Sequence, residues 1–148
     1  MDQRLNYKKH TQNQLNKATG QRVTLYPLIN RNSRLSLATK KLIYTSYLRP
    51  ILTYASAAWA FHKTNRQRLQ VFQNRTLRLI TNPGRFVRNT TIHRDLKIPT
   101  IKEFMTHDAT NLYTRAQGSR HTLLRNLGDY SAEIRHIHKR PKHLIDDA

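Results

Sequence analysis

Metal-dependent phosphoryl chemistry needs carboxylates in groups, because two hard cations demand several anionic oxygens on a rigid support. The chain has eight Asp and Glu against 27 Lys and Arg, and none of the eight falls between Asp2 and Asp95. Asp146-Asp147 follows two apolar residues and so mimics a polymerase metal pair. It stands at the end of the sequence with no strand after it to form a hairpin, and reads as a solvated acidic terminus. His62, His93, His107, His121, His136, His138 and His143 match no zinc spacing, and there is no cysteine to help them. They read as surface histidines beside anion contacts. No nucleophile and orienting acid can be paired with any of them, so no catalytic residue and no metal ligand is assigned.

Arginine carries the stronger signal. Eighteen Lys and Arg lie in the carboxylate-free stretch from Arg4 to Arg94, and the formal net charge is +19 with a pI near 11.2. Such a surface repels itself unless phosphates or counterions are close, so nucleic acid is the leading partner. Arg66, Arg68, Arg75, Arg78, Arg85 and Arg88, with Arg94 in the next segment, are the candidate nucleic-acid-binding residues. Guanidinium groups on a helix and its following loop can meet phosphate oxygens in bidentate fashion along a backbone, which suggests a track rather than a pocket. The competing reading is a generic solvated basic face, though such faces normally mix both signs of charge.

Few glycines and prolines punctuate the chain, and apolar residues recur at spacings of three and four, which predicts an all-α fold. The first helix is expected over 8–28, with Leu15, Ala18, the stem of Arg22, Leu25 and Ile29 on one face. A polar turn over 30–34 follows. Ser36 is the expected cap of a core helix whose stripe is Leu37, Tyr44, Leu48, Ile51, Ala55 and Trp59, kinked or broken near Arg49 by Pro50. Tyr44, Tyr47, Tyr54 and Trp59 could stack on bases, but at helical spacing they read first as core. A third helix over 65–81 presents Leu69, Phe72, Leu79 and Ile80, with Arg68, Arg75 and Arg78 on the neighbouring arc, and Asn82-Pro83-Gly84 ends it. A basic loop over 85–89 leads to a short turn capped by Thr91 and ending at Lys97. Thr100 and Glu103 have the spacing of a capping box for a fourth helix carrying Ile101, Phe104, Met105, Ala109, Leu112 and Tyr113. A weaker segment over 121–127 ends at Gly128.

These elements predict a small bundle of four to five helices over 1–130 and a frayed basic tail over 131–148. A hydrophobic content of 37% is low for 148 residues, so a thin core is expected. The polar N-terminus lacks a secretory stretch, and the most apolar run, over 51–61, is about half of a membrane span of ~20 residues. An intracellular protein without membrane contact is the expectation.

Several blocks resemble one family. Leu5-Asn6-Tyr7-Lys8-Lys9-His10 resembles the segment after the catalytic palm in reverse transcriptases of non-LTR retrotransposons, especially jockey-like elements of insects. Tyr47-Leu48-Arg49-Pro50-Ile51-Leu52-Thr53-Tyr54-Ala55, on to Ala58-Trp59, is similar to the family's apolar tyrosine and tryptophan signature. Gln73-Asn74-Arg75-Thr76-Leu77-Arg78-Leu79-Ile80, Arg85-Phe86-Val87-Arg88-Asn89, His93-Arg94-Asp95-Leu96-Lys97-Ile98-Pro99-Thr100 and Leu123-Leu124-Arg125-Asn126-Leu127 resemble successive later blocks. The resemblance covers roughly 2–127 and implies a thumb and C-terminal region of an RNA-directed DNA polymerase. It places the fingers and palm, with their aspartates and magnesium, ahead of Met1. This chain alone is therefore expected to hold no cofactor and to be inactive as a polymerase. The implied partners are an RNA–DNA template-primer and the palm and fingers of the same polyprotein, and the implied location is the nucleus and cytoplasmic ribonucleoprotein. Two alternatives stay open: a stand-alone basic nucleic-acid adaptor, or a retroelement remnant without function.

Overall fold

A computed structural model describes residues 7–59 and 62–127, and among these the chain is all-α with no strand. Helix α1 (Lys8–Thr24) buries Thr11, Gln14 and Ala18, at the spacing of three and four that one helical face requires. The helix expected over 8–28 breaks once, at Leu25, and α2 (Tyr26–Ile29) turns Ile29 into the core. Pro27 falls in the first turn of α2, where its missing donor is harmless. The turn over 30–34 is held by its own asparagine: Asn30 Oδ1 accepts the N–H groups of Asn32 at 2.7 Å and Ser33 at 3.0 Å. Lys40, almost wholly buried, closes the same turn by donating from Nζ to the carbonyls of Asn30 at 2.7 Å and Ser33 at 3.3 Å.

The core segment is not one helix. Ser36 caps α3 (Leu37–Ile43) as expected, its hydroxyl accepting the Thr39 N–H at 3.1 Å. A π-helical turn over Tyr44–Leu48 follows, in which the Arg49 N–H reaches back to the Tyr44 carbonyl. This wider turn comes just before Pro50 in α4 (Arg49–Leu52), so the kink expected near Arg49 takes the form of a π-turn that makes room for the ring. The chain then breaks at Ala55, whose φ of 54° lies in the left-handed region, before α5 (Ser56–Trp59). The break splits the expected stripe. Tyr44, Leu48 and Trp59 are buried and Ile51 partly so, while Leu37, Ala55, Tyr47 and Tyr54 face solvent.

Helix α6 (Lys63–Thr81) is the spine of the bundle. Leu69 and Phe72 pack with Ala18, Leu52, Trp59, Ile101, Met105 and Ala109, and Leu77 and Ile80 pack with Ile29, Tyr44, Leu48, Ile92, Leu96 and Ile98. Each such aliphatic side chain contributes roughly 1.5–3 kcal/mol when fully buried. Asn82, at φ 44°, ends α6 where the Asn-Pro-Gly sequence predicted. Helix α7 (Asn89–Leu96) starts two residues before the expected Thr91 cap, with Arg88 at the cap position and no side-chain cap bond. Thr91 is thus inside the helix, because the preceding loop is anchored from α6 rather than by a local hydroxyl. Helix α8 (Ile101–Gln117) has the predicted capping box, with the Thr100 N–H donating to Glu103 Oε2 at 2.8 Å and the Glu103 N–H to Thr100 Oγ1 at 3.3 Å. Of its expected core positions, Leu112 is instead exposed. The weak segment forms α9 (Thr122–Arg125), which buries nothing. Gly128, the expected tail over 131–148 and Asp146-Asp147 lie outside the described residues.

Candidate nucleic-acid interface

The seven candidate arginines do not form one track. Arg68 and Arg75 project from the same side of α6 toward α1, because seven residues is almost two full turns. Between the helices lies a recess of about 400 Å³ lined by Gln12, Leu15, Asn16, Thr19, Arg22, Arg68, Val71, Phe72 and Arg75. Arg68 donates from Nη2 to Gln12 Oε1 at 2.8 Å, which joins the two walls. Arg22 comes from α1 and lies over the Phe72 ring with its guanidinium carbon 4.7 Å from the centroid. Burial, with the like charge of Arg75 beside it, holds the Arg22 guanidinium below its ordinary value. An arginine stays protonated under any ordinary condition, so the pair is a standing repulsion that an anion would relieve. No carboxylate is among the described residues that line the recess.

The other candidates fall elsewhere. Arg66 faces a second recess of about 480 Å³ on the opposite flank of α6, shared with Lys63, Gln67, Gln70 and Lys102. Arg78 is committed to structure: its Nε donates to Asn89 Oδ1 at 2.8 Å and its Nη2 to the Val87 carbonyl at 2.6 Å. Those bonds anchor the loop ahead of α7. Arg85 and Arg88 are exposed on that loop. Arg94 is also exposed and pairs with Asp95 at 3.3 Å.

Sequence reasoning missed Arg22, since nothing local distinguishes it from any helix-face arginine. It also missed a polar network between α6 and the turn into α8. His93 sits there with Nδ1 2.9 Å from the Ile98 carbonyl and Nε2 2.9 Å from Asn74 Oδ1 and 3.2 Å from Gln70 Nε2. Gln70 Oε1 accepts the Ile101 N–H at 2.8 Å, and Gln73 Nε2 donates to the Pro99 carbonyl at 3.0 Å. This histidine, expected on the surface, is partly buried and ties chain segments together. Arg49, similarly, stacks over Phe104 at 4.1 Å and is held below its ordinary value by burial. Among the described residues no three His, Asp or Glu side chains gather as a metal ion would need, and no helix is long and apolar enough to cross a membrane.

Fold and surface define a strongly basic all-α module with an arginine-lined recess between α1 and α6. In sequence it is 32% identical over 146 residues to the probable RNA-directed DNA polymerase from transposon X-element of Drosophila melanogaster, covering 98% of this chain and 16% of that protein. It is 32% identical over 128 residues to the probable RNA-directed DNA polymerase from transposon BS of the same fly, covering 86% of this chain and 14% of that protein. The RNA-directed DNA polymerase from mobile element jockey, also of the fly, is 28% identical over 129 residues, with coverage of 86% and 14%. The chain is a relative of the RNA-directed DNA polymerases of non-LTR transposons, jockey among them, and it spans between a seventh and a sixth of the length of these relatives. No family model and no solved structure matches it.

Proposed function

We propose that this chain acts as the thumb-side module of a retrotransposon RNA-directed DNA polymerase, gripping the backbone of the template-primer while a separate palm supplies the chemistry. The observation that carries the reading is the convergence of Arg22, Arg68 and Arg75 on one recess, two of them close enough to repel, with no carboxylate among the described residues that line it. Phosphates resolve that repulsion and accept from the amide groups of Gln12 and Asn16 beside it. Contacts of this kind position a duplex without reading its sequence. The polymerase kinship supports a nucleic-acid partner, and the module's own part in it is to bind and not to catalyse. The magnesium, the fingers and the palm belong to the remainder of the polyprotein, and the nucleus and cytoplasmic ribonucleoprotein are where such a complex would act.

The test is binding of a fluorescein-labelled RNA–DNA hybrid, read by anisotropy, for the wild-type chain and R22Q/R68Q/R75Q. The triple variant loses at least tenfold in affinity with its helical content intact. Equal affinity of the two proteins would refute this assignment. The stand-alone adaptor draws support from one observation: Tyr44 and Trp59 are buried by this chain's own helices and need no palm to cover them. Primer extension by a mixture of this chain and a palm fragment, absent with either alone, separates the two readings in favour of the thumb.

A further inference from the structure

Beyond the recess just described, and sharing Arg22 and Arg75 with it, lies a second hollow of about 500 Å³ lined by Arg22, Val23, Tyr26, Pro27, Arg75 and Leu79. Its size falls within the roughly 300–1,000 Å³ of small-ligand sites. It lacks the Gln12, Asn16 and Thr19 side chains of its neighbour: two guanidinium groups line it together with the Tyr26 ring and aliphatic side chains. Tyr26 is 52% exposed and Val23 67% exposed. Neither is needed by the core. Tyr26 lies one helical turn beyond Arg22, on α2, and its hydroxyl makes no hydrogen bond among the described residues. Tyr47, by contrast, is tied down through its hydroxyl to Gln21 Oε1 at 3.2 Å.

A cationic edge joined to an unoccupied aromatic face is how proteins hold unpaired nucleotides, with the phosphate on the cation and the base on the ring. Bases inside a duplex cannot use it, because they are already stacked on both faces. We infer that the Arg22, Tyr26 and Arg75 hollow is a stacking step for an unpaired nucleotide at the end of the arginine recess, taking the single-stranded flank where the hybrid begins. This inference rests on the proposed grip of the recess on nucleic acid, and it adds a strand type that the grip alone does not specify.

The experiment uses two probes: a 12-nucleotide single-stranded RNA carrying 2-aminopurine, and a blunt RNA–DNA hybrid. Binding of the wild-type chain to the single strand changes 2-aminopurine fluorescence as the base stacks. Y26A weakens the single strand by roughly fivefold or more and abolishes that change, Y26W restores both, and the blunt hybrid binds Y26A as it binds wild type. The salt dependence is the same in Y26A, since no charge has been removed. A Y26A protein with undiminished single-strand affinity, or one that loses hybrid and single strand equally, would overturn the inference. If R22Q/R75Q loses the hybrid while Y26A changes nothing, the grip stands and the stacking step falls. If R22Q/R75Q changes nothing either, both fall. The fluorescence change in the unmutated protein needs no variant to fold, and its absence on saturation counts against the step.

Discussion

Replacing Arg22, Arg68 and Arg75 with glutamine should change how binding responds to salt more tellingly than how tight it is at any one concentration. Each phosphate neutralised on duplex releases condensed counterions and contributes about −0.9 to the slope of log K against log salt, so three arginines account for about −2.7. Between about 50 and about 200 mM salt, a fourfold change, that part of the slope alone weakens binding roughly 40-fold. The triple variant should shed this component while keeping whatever Arg66, Lys63 and Lys102 contribute from the other flank of α6. Anisotropy titrations of an RNA–DNA hybrid at four or five salt concentrations give both slopes. A second signature follows from the repulsion inside the recess. Arg22 is held below its ordinary value by burial and by Arg75, so R75Q alone should melt no lower than wild type without nucleic acid, and somewhat higher, while binding less tightly. An unchanged slope in the triple variant, or an R75Q protein that unfolds earlier, would refute the reasoning that this recess is built for an anion at the expense of the fold.

Arg78 should behave in the opposite way: R78Q breaks the bonds to Asn89 and Val87, costs roughly 1.5–3 kcal/mol in urea unfolding, and leaves hybrid affinity unchanged once the folded fraction is accounted for. Trp59, buried and bonded from Nε1 to the Tyr54 carbonyl at 2.9 Å, should cost about 3–5 kcal/mol as W59A by the same measurement. The Tyr44 hydroxyl lies beside Gln73 without completing a hydrogen bond, and burial pushes it well above its ordinary value of 10.0. Its folded-state value being raised, the stability it contributes is complete below pH 10 and is lost as pH climbs beyond; wild type should therefore lose stability relative to Y44F above that pH, while below it Y44F is neutral or stabilising. Lys97 ends α7 at φ 52°, so K97G should gain up to about 1 kcal/mol by removing the left-handed penalty.

What could be read ahead of the structure was what is encoded locally. The caps at Ser36 and at Thr100 with Glu103, the stop at Asn82 and most of the apolar faces of α6 and α8 rest on residues within a turn or two of one another and stand where their spacing puts them, while Leu112 turns to solvent and Leu77 takes the core place expected of Leu79. The break at Ala55 was not legible, because an alanine in a left-handed conformation is imposed by the packing of Leu52 and Trp59 into one core rather than by any preference of its own. Likewise the π-turn before Pro50 could be expected only as some distortion, its form depending on what Tyr44 and Leu48 had to reach. For the arginine recess, the sequence supplied the charge and one of its two helices but not the partition. Arg75 and Arg78 differ by less than a turn, yet one lines an open recess and the other is consumed by a loop carbonyl nine residues on. Arg22 joins the recess from a different helix, a juxtaposition that no spacing within one segment can reveal.

The proposed function puts nucleic acid between α1 and α6. The most direct measurement is a backbone amide spectrum of the isotope-labelled chain, recorded during titration with an RNA–DNA hybrid. Shifts should concentrate at Gln12, Asn16, Thr19, Arg22, Arg68, Val71 and Arg75, all of which line the recess, with smaller changes at Lys63 and Lys102. Shifts gathered on α8 and the loop ahead of α7, with α1 silent, would contradict it.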